Sequence, residues 1–91
     1  MSAVRDNIAE SRFELETGGD IAVAVYERAG NVWTFTHTVV PAEAEGHGVG
    51  STLVQGALEQ VEAQGGRIVP QCPFVAAYLQ RHPEWQRLLA D

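Results

Sequence analysis

Between residues 32 and 71 the sequence reads as strand, glycine loop, helix, strand, and that order leaves few folds open. Residues 32–40 are rich in β-branched and aromatic side chains (Val32, Trp33, Thr34, Phe35, Thr36, Thr38), as a strand requires. Behind Gly46, Gly48 and Gly50, the residues Leu53, Val54, Ala57, Leu58 and Val61 recur at helical spacing, so a helix with one buried face spans about 50–64. Gly65-Gly66 stops it, and residues 67–71 (RIVPQ) form a short strand whose Pro70 favours a strand end or an irregular edge. Two strands joined through a helix are parallel, and the connection is right-handed. Upstream, residues 12–16 and 21–28 alternate as strands, with turn chemistry at 17–20 and a hairpin at 29–31 that leads into residues 32–40. The region before residue 12 reads as a polar lead. After Cys72-Pro73 a second helix spans 74–81, and Pro83 can start a last short helix carrying Trp85, Leu88 and Leu89. The expectation is an α+β fold with a mixed β-sheet and helices on its faces, in a single domain over residues 1–91.

The glycine loop has a chemical use. The first N–H groups of a helix lack intrahelical partners and lie at the positive end of its dipole, so glycines there let an anion approach several donors at once. The loop reads as an anion cradle, with a plain flexible loop as the alternative. Gly50-Ser51-Thr52 lacks the lysine of a nucleotide-triphosphate loop. A dinucleotide loop needs a third glycine where Leu53 stands, and an acidic residue where the next strand ends in Gln71-Cys72. Both readings fail.

Charge and composition narrow the partners. A net charge of −6 and a pI near 4.9 argue against a nucleic-acid partner, which would call for a basic stripe. The longest apolar stretch, residues 21–26, is too short to span a membrane, and residues 1–9 have no signal-peptide core. With Cys72 as the single cysteine, no internal disulfide forms, and a reducing, cytoplasmic location is the default. His37, His47, His82 and Cys72 show no metal-ligand spacing, so no metal site is expected. His37 falls in alternation with Trp33, Phe35 and Val39, which predicts a hydrogen-bonded core histidine. Tyr78 shares a helical face with Phe74, which predicts core packing, and Cys72 reads as a small buried hydrophobe at the start of its helix.

Three sequence words carry a resemblance: His37-Thr38-Val39-Val40-Pro41; the run from Glu45 through Gly46, His47, Gly48, Val49, Gly50 and Ser51 to Val54; and Cys72 through Glu84 (CPFVAAYLQRHPE). The chain resembles the GNAT acetyltransferase superfamily, in particular its small single-domain subgroup typified by N-acetyltransferase domain-containing protein 1 and similar bacterial proteins. The resemblance covers most of the chain and implies an N-acetyltransferase that binds acetyl-CoA and passes acetyl to an unidentified amine. It implies that Val39 and Val40 position the pantetheine and that Glu45, Gly46, His47, Gly48, Val49, Gly50 and Ser51 hold the pyrophosphate. Cys72 and Tyr78 would lie beside the cofactor, and Arg81 would meet its 3′-phosphate. Tyr78 matches the tyrosine that protonates the leaving thiolate, with His37, Glu43 or water as base and Cys72 as the candidate for a covalent route. Glu45 stands where the superfamily has Gln or Arg, a departure the subgroup shares. His47 stands where the subgroup has Arg. The ordinary superfamily helix pair that walls the acceptor site has no counterpart here, which favours the alternative of a non-catalytic CoA-binding or protein-interaction module. The expected partners are acetyl-CoA and the amine, with neither nucleic acid nor membrane, in a monomer or weak homodimer.

Overall fold

The structure is a computed structural model that describes residues 3–90. A five-stranded sheet runs in chain order: β1 (Arg5–Asn7), β2 (Arg12–Glu16), β3 (Ile21–Ala29), β4 (Val32–Val39) and β5 (Arg67–Pro70). The first four are antiparallel neighbours, and β5 lies parallel to β4 with Val32 opposite Arg67 and Phe35 opposite Pro70. The crossover between them is α1 (Val49–Ala63), and α2 (Pro73–Arg81) follows β5. The expected α+β architecture is therefore present.

Three details differ from expectation. The polar lead contains β1, so residues 12–16 form the second strand and not the first. Three residues of sequence Arg-Asp-Asn carry no strand alternation, and their pairing is held by side chains: Arg5 and Asn7 donate to the two oxygens of Glu14, each at 2.9 Å. The last helix, Pro83–Leu88, is a 3₁₀ helix that stops before Leu89, which forms a parallel bridge to Ile68 instead. Finally, β4 contains a bulge. Val25 pairs with His37 but Tyr26 pairs with Phe35, so Thr36 is an extra residue and the alternation flips across it. His37 is consequently exposed, with its Nδ1 3.1 Å from Thr36 Oγ1, and the core histidine is corrected.

One face of the sheet is the core side. Phe13 pairs with Ala24 and Tyr26 with Phe35, so these residues point the same way, and the rings of Phe13, Tyr26 and Phe35 lie 5.2–6.3 Å apart. Across them lies α1, whose Leu53, Val54, Leu58 and Val61 are buried. Each such side chain contributes about 1.5–3 kcal/mol when removed from water. Trp33 fills the core where α1 ends, and a Cβ on Gly66 would stand 2.3 Å from its ring. Gly65 (φ 71°) turns the chain out of the helix, and the chain passes this close to the indole only because Gly66 has no side chain.

Glu14 is the single buried carboxylate among the described residues, at 3% exposure. Hydrogen bonds from Asn7, then Arg12 (2.7 Å) and Arg5, hold its carboxyl below the ordinary carboxylate range. Its contribution to stability is therefore present above the unfolded pKa and lost as pH falls through the lowered folded value. Glu14→Gln is expected to lower the melting temperature at pH 7, with the deficit shrinking once pH drops below about 4.5. Thermal melts from pH 7 to 3 check this, and an equal deficit at both ends would remove Glu14 as an acid-sensitive tie.

Candidate functional site

The site forms where β4 ends and α1 begins. After β4, Pro41 leads into one turn of 3₁₀ helix, Ala42–Ala44, and Glu45 returns to extended backbone. Gly46 (φ 83°) and Gly48 (φ 73°) then adopt left-handed conformations that a side chain would strain, and nothing lies within 4 Å of where their Cβ atoms would be. Gly48 is the N-cap of α1 and offers no side-chain cap. The first N–H of the helix to find an intrahelical acceptor is that of Thr52, which donates to Gly48 O at 3.0 Å. The preceding N–H groups of Val49, Gly50 and Ser51 are the orphan donors of the helix end, at its positive pole.

These donors border a cavity of about 600 Å³ lined by residues 38–40, 44–46 and 48–51 together with Phe74 and Arg81. Of the residues expected to hold a cofactor, the cavity brings together Val39, Val40, Glu45, Gly46, Gly48, Val49, Gly50, Ser51 and Arg81. Thr38, Ala44 and Phe74 join them without having been singled out. Arg81 is exposed at the end of α2 and has no carboxylate partner among the described residues, so its guanidinium is free for an anion. Donor N–H groups, a free arginine and an open cavity are what a phosphate-bearing ligand requires. Glu45 is the opposing term, a carboxylate in the same lining.

Gly50 does a different job from its neighbours. It is buried, its backbone is helical, and a Cβ there would stand 2.4 Å from Phe74 Cζ. Its missing side chain thus makes room for the Phe74 ring that floors the cavity. Gly50→Ala is expected to push that ring outward at a cost of about 1–3 kcal/mol. In a Phe74→Leu background the same change should cost less than half as much. Denaturant titration of the four proteins reads this, and equal costs in both backgrounds would sink the packing account.

The remaining candidates lie outside the lining. His37, Glu43 and His47 are exposed beyond it. Cys72 is buried at 3% exposure and places its Sγ 3.2 Å from Oγ1 of Thr38, which itself borders the cavity. Tyr78 falls between Phe74 and Arg81 on one helical stripe, four residues from the first and three from the second, and both of those line the cavity. Its own ring is only 2% exposed and stacks on His82 with centroids 4.2 Å apart. Burial first, then the nearby carboxylates Glu84 and Glu59, pushes its phenol up, so it stays protonated through neutral pH. Among the described residues no three of His, Cys, Asp and Glu gather as a metal site.

Comparison with known proteins decides the family. The family described as GCN5-related N-acetyl-transferase matches residues 12–88, from the start of β2 to the end of the last 3₁₀ helix. The chain belongs to the GCN5-related N-acetyltransferases. The solution structure of a GCN5-like protein from Staphylococcus aureus, named for N-acetyl transfer, superposes with a TM-score of 0.72. That match covers 99% of this chain and 91% of the other at 24% sequence identity, so it carries the fold alone. No curated protein sequence matches the chain. For a GCN5-related N-acetyltransferase, the cavity between strand end and glycine loop is the candidate cofactor site. Among the described residues no helix is long and apolar enough to cross a membrane.

Proposed function

We propose that the protein binds acetyl-CoA and transfers its acetyl group to an amine. The observation that carries this reading is the cavity of about 600 Å³ that joins the uncapped start of α1 to Arg81, which has no carboxylate partner among the described residues. The N–H groups of Val49, Gly50 and Ser51 would hold the pyrophosphate, with Gly46 and Gly48 shaping the loop around it. Val39 and Val40 would position the pantetheine, and Arg81 would take the 3′-phosphate. Bound there, the cofactor supplies an acetyl group activated as a thioester. The amine must attack unprotonated, so its ammonium proton passes to Glu43, His37 or water. As the C–N bond forms and the C–S bond breaks, the nitrogen would lose its second proton to water, while Tyr78 would give its phenolic proton to the departing sulfur and be reprotonated from solvent. Cys72, buried and bonded to Thr38, serves this route better as packing beside the cofactor than as a nucleophile.

A second reading has its own support. Tyr78, His37 and Glu43 all lie outside the cavity lining, which suits a CoA-binding module without turnover. Product formation separates the two. The cytoplasm fits either reading, since Cys72 is an unpaired thiol. A monomer or weak homodimer is the proposed state.

Binding is tested at Gly48. Its φ of 73° means that any side chain adds strain of about 1–2 kcal/mol, so Gly48→Ala measures strain and Gly48→Glu adds charge to it. By calorimetry, Gly48→Glu is expected to bind CoA at least ~10-fold more weakly than Gly48→Ala, while both keep the parental circular dichroism. If the two variants bind alike, the pyrophosphate lies elsewhere.

A further inference from the structure

We propose that the amine acceptor lies along the outer face of the sheet, and that it is an ω-amino carboxylate with an apolar stem; this deepens, and rests on, the acetyl-transfer reading. Residues directly opposite one another across a sheet share a face. The register therefore builds two rows on the side away from α1. One runs Val39, Val23, Glu14, Arg5, and the other runs His37, Val25, Arg12, Asn7. Val23 and Val25 are half-buried, and Val39 is 56% exposed. Since Val39 also lines the cavity, the face and the cofactor site are continuous.

The two ends of this surface differ in charge. Glu45 lines the cavity and Glu43 precedes it by two residues, both exposed, and carboxylates attract an ammonium group. At the far end, the guanidiniums of Arg5 and Arg12 share a single carboxylate, Glu14, and both of its oxygens are already engaged. The two arginine side chains are 58% and 36% exposed, so N–H groups remain for an anion. Glu16 flanks the first row beside Ile21, and Glu27 flanks the second two residues beyond Val25, so the carboxylates bound the apolar floor on both sides. Two strand spacings separate β4 from β2, about 10 Å, which an eight-carbon chain spans. A second ammonium at that distance would meet two guanidiniums across an apolar floor, so a diamine of equal length is disfavoured.

Methyl NMR of the full chain tests this without CoA, using 8-aminooctanoate and octane-1,8-diamine as probes. The amino acid should shift the methyls of Val23, Val25 and Val39 and bind about fivefold more tightly than the diamine, the scale of exposed ion pairs made rather than opposed. Arg12→Gln, or Arg5→Gln should the first unfold, should erase that preference. Equal affinities, or shifts confined to other methyls, overturn the proposal. Binding without acetylation in the presence of acetyl-CoA would instead sink the transfer reading alone, and acetylation of both amines with silent valine methyls would sink this one alone.

Discussion

Trp33→Ala is expected to remove about 3–5 kcal/mol of stability, the cost of deleting a buried tryptophan side chain and leaving its cavity. A domain of this length holds roughly 5–14 kcal/mol in all, so the variant should be marginal at room temperature. The site leaves little room for relaxation. The indole is 0% exposed, faces Gly66 and Val61 at the end of α1, and carries the Arg28 guanidinium 4.1 Å from its ring centroid. Its Nε1–H, however, is buried near the Tyr26 phenol without reaching hydrogen-bond geometry to any of the described residues. Trp33→Phe therefore keeps a ring against Gly66 and removes an unsatisfied donor, and should cost far less than the alanine change. Urea unfolding followed by circular dichroism measures both. A Trp33→Ala cost under about 1 kcal/mol would mean that the end of α1 closes over the gap.

Tyr78→Phe has the largest effect expected on turnover. Phenylalanine keeps the volume that stacks on His82, so folding and CoA binding should stay close to parental. Loss of a positioned acid should lower the acetylation rate by ~10²–10⁴-fold. The pH profile adds a second check: with the phenol pushed up by burial, Tyr78 should produce no alkaline fall in rate below about pH 10. Parental turnover in Tyr78→Phe would mean that water protonates the thiolate and that this ring is core alone.

The sequence made α1 and its glycine loop legible because two independent signals coincided, helical periodicity from Leu53 to Val61 and the alternating glycines 46, 48 and 50 ahead of it. The parallel placement of β5 followed from connectivity. Other parts were hidden for physical reasons. β1 is stabilised by Arg5 and Asn7 reaching Glu14, a contact between segments that no local alternation records. The reading of His37 assumed unbroken alternation through β4, and one extra residue reversed it. Phe74 at the cavity could have been found only by knowing that Gly50 faces it, since a glycine in a helix says nothing about what fills its missing volume. His47 stands beside two glycines of the cradle yet points outside the lining, because adjacency in a loop does not fix direction.

The bulge at Thr36 makes β4 a strand with two reading frames. Residues 32–35 are phased to bury Trp33 and Phe35, whereas residues 37–39 are phased to turn His37 and Val39 outward and Thr38 toward Cys72. Deleting Thr36 would act on this strand as a frameshift acts on a message, leaving the first half intact and exchanging inside for outside in the half that meets the cavity. Val39 would leave the lining and His37 would be driven among apolar side chains, although neither residue had changed. A deletion of one residue at that point would therefore change more of the surface that β4 shows to the cavity than several substitutions around it.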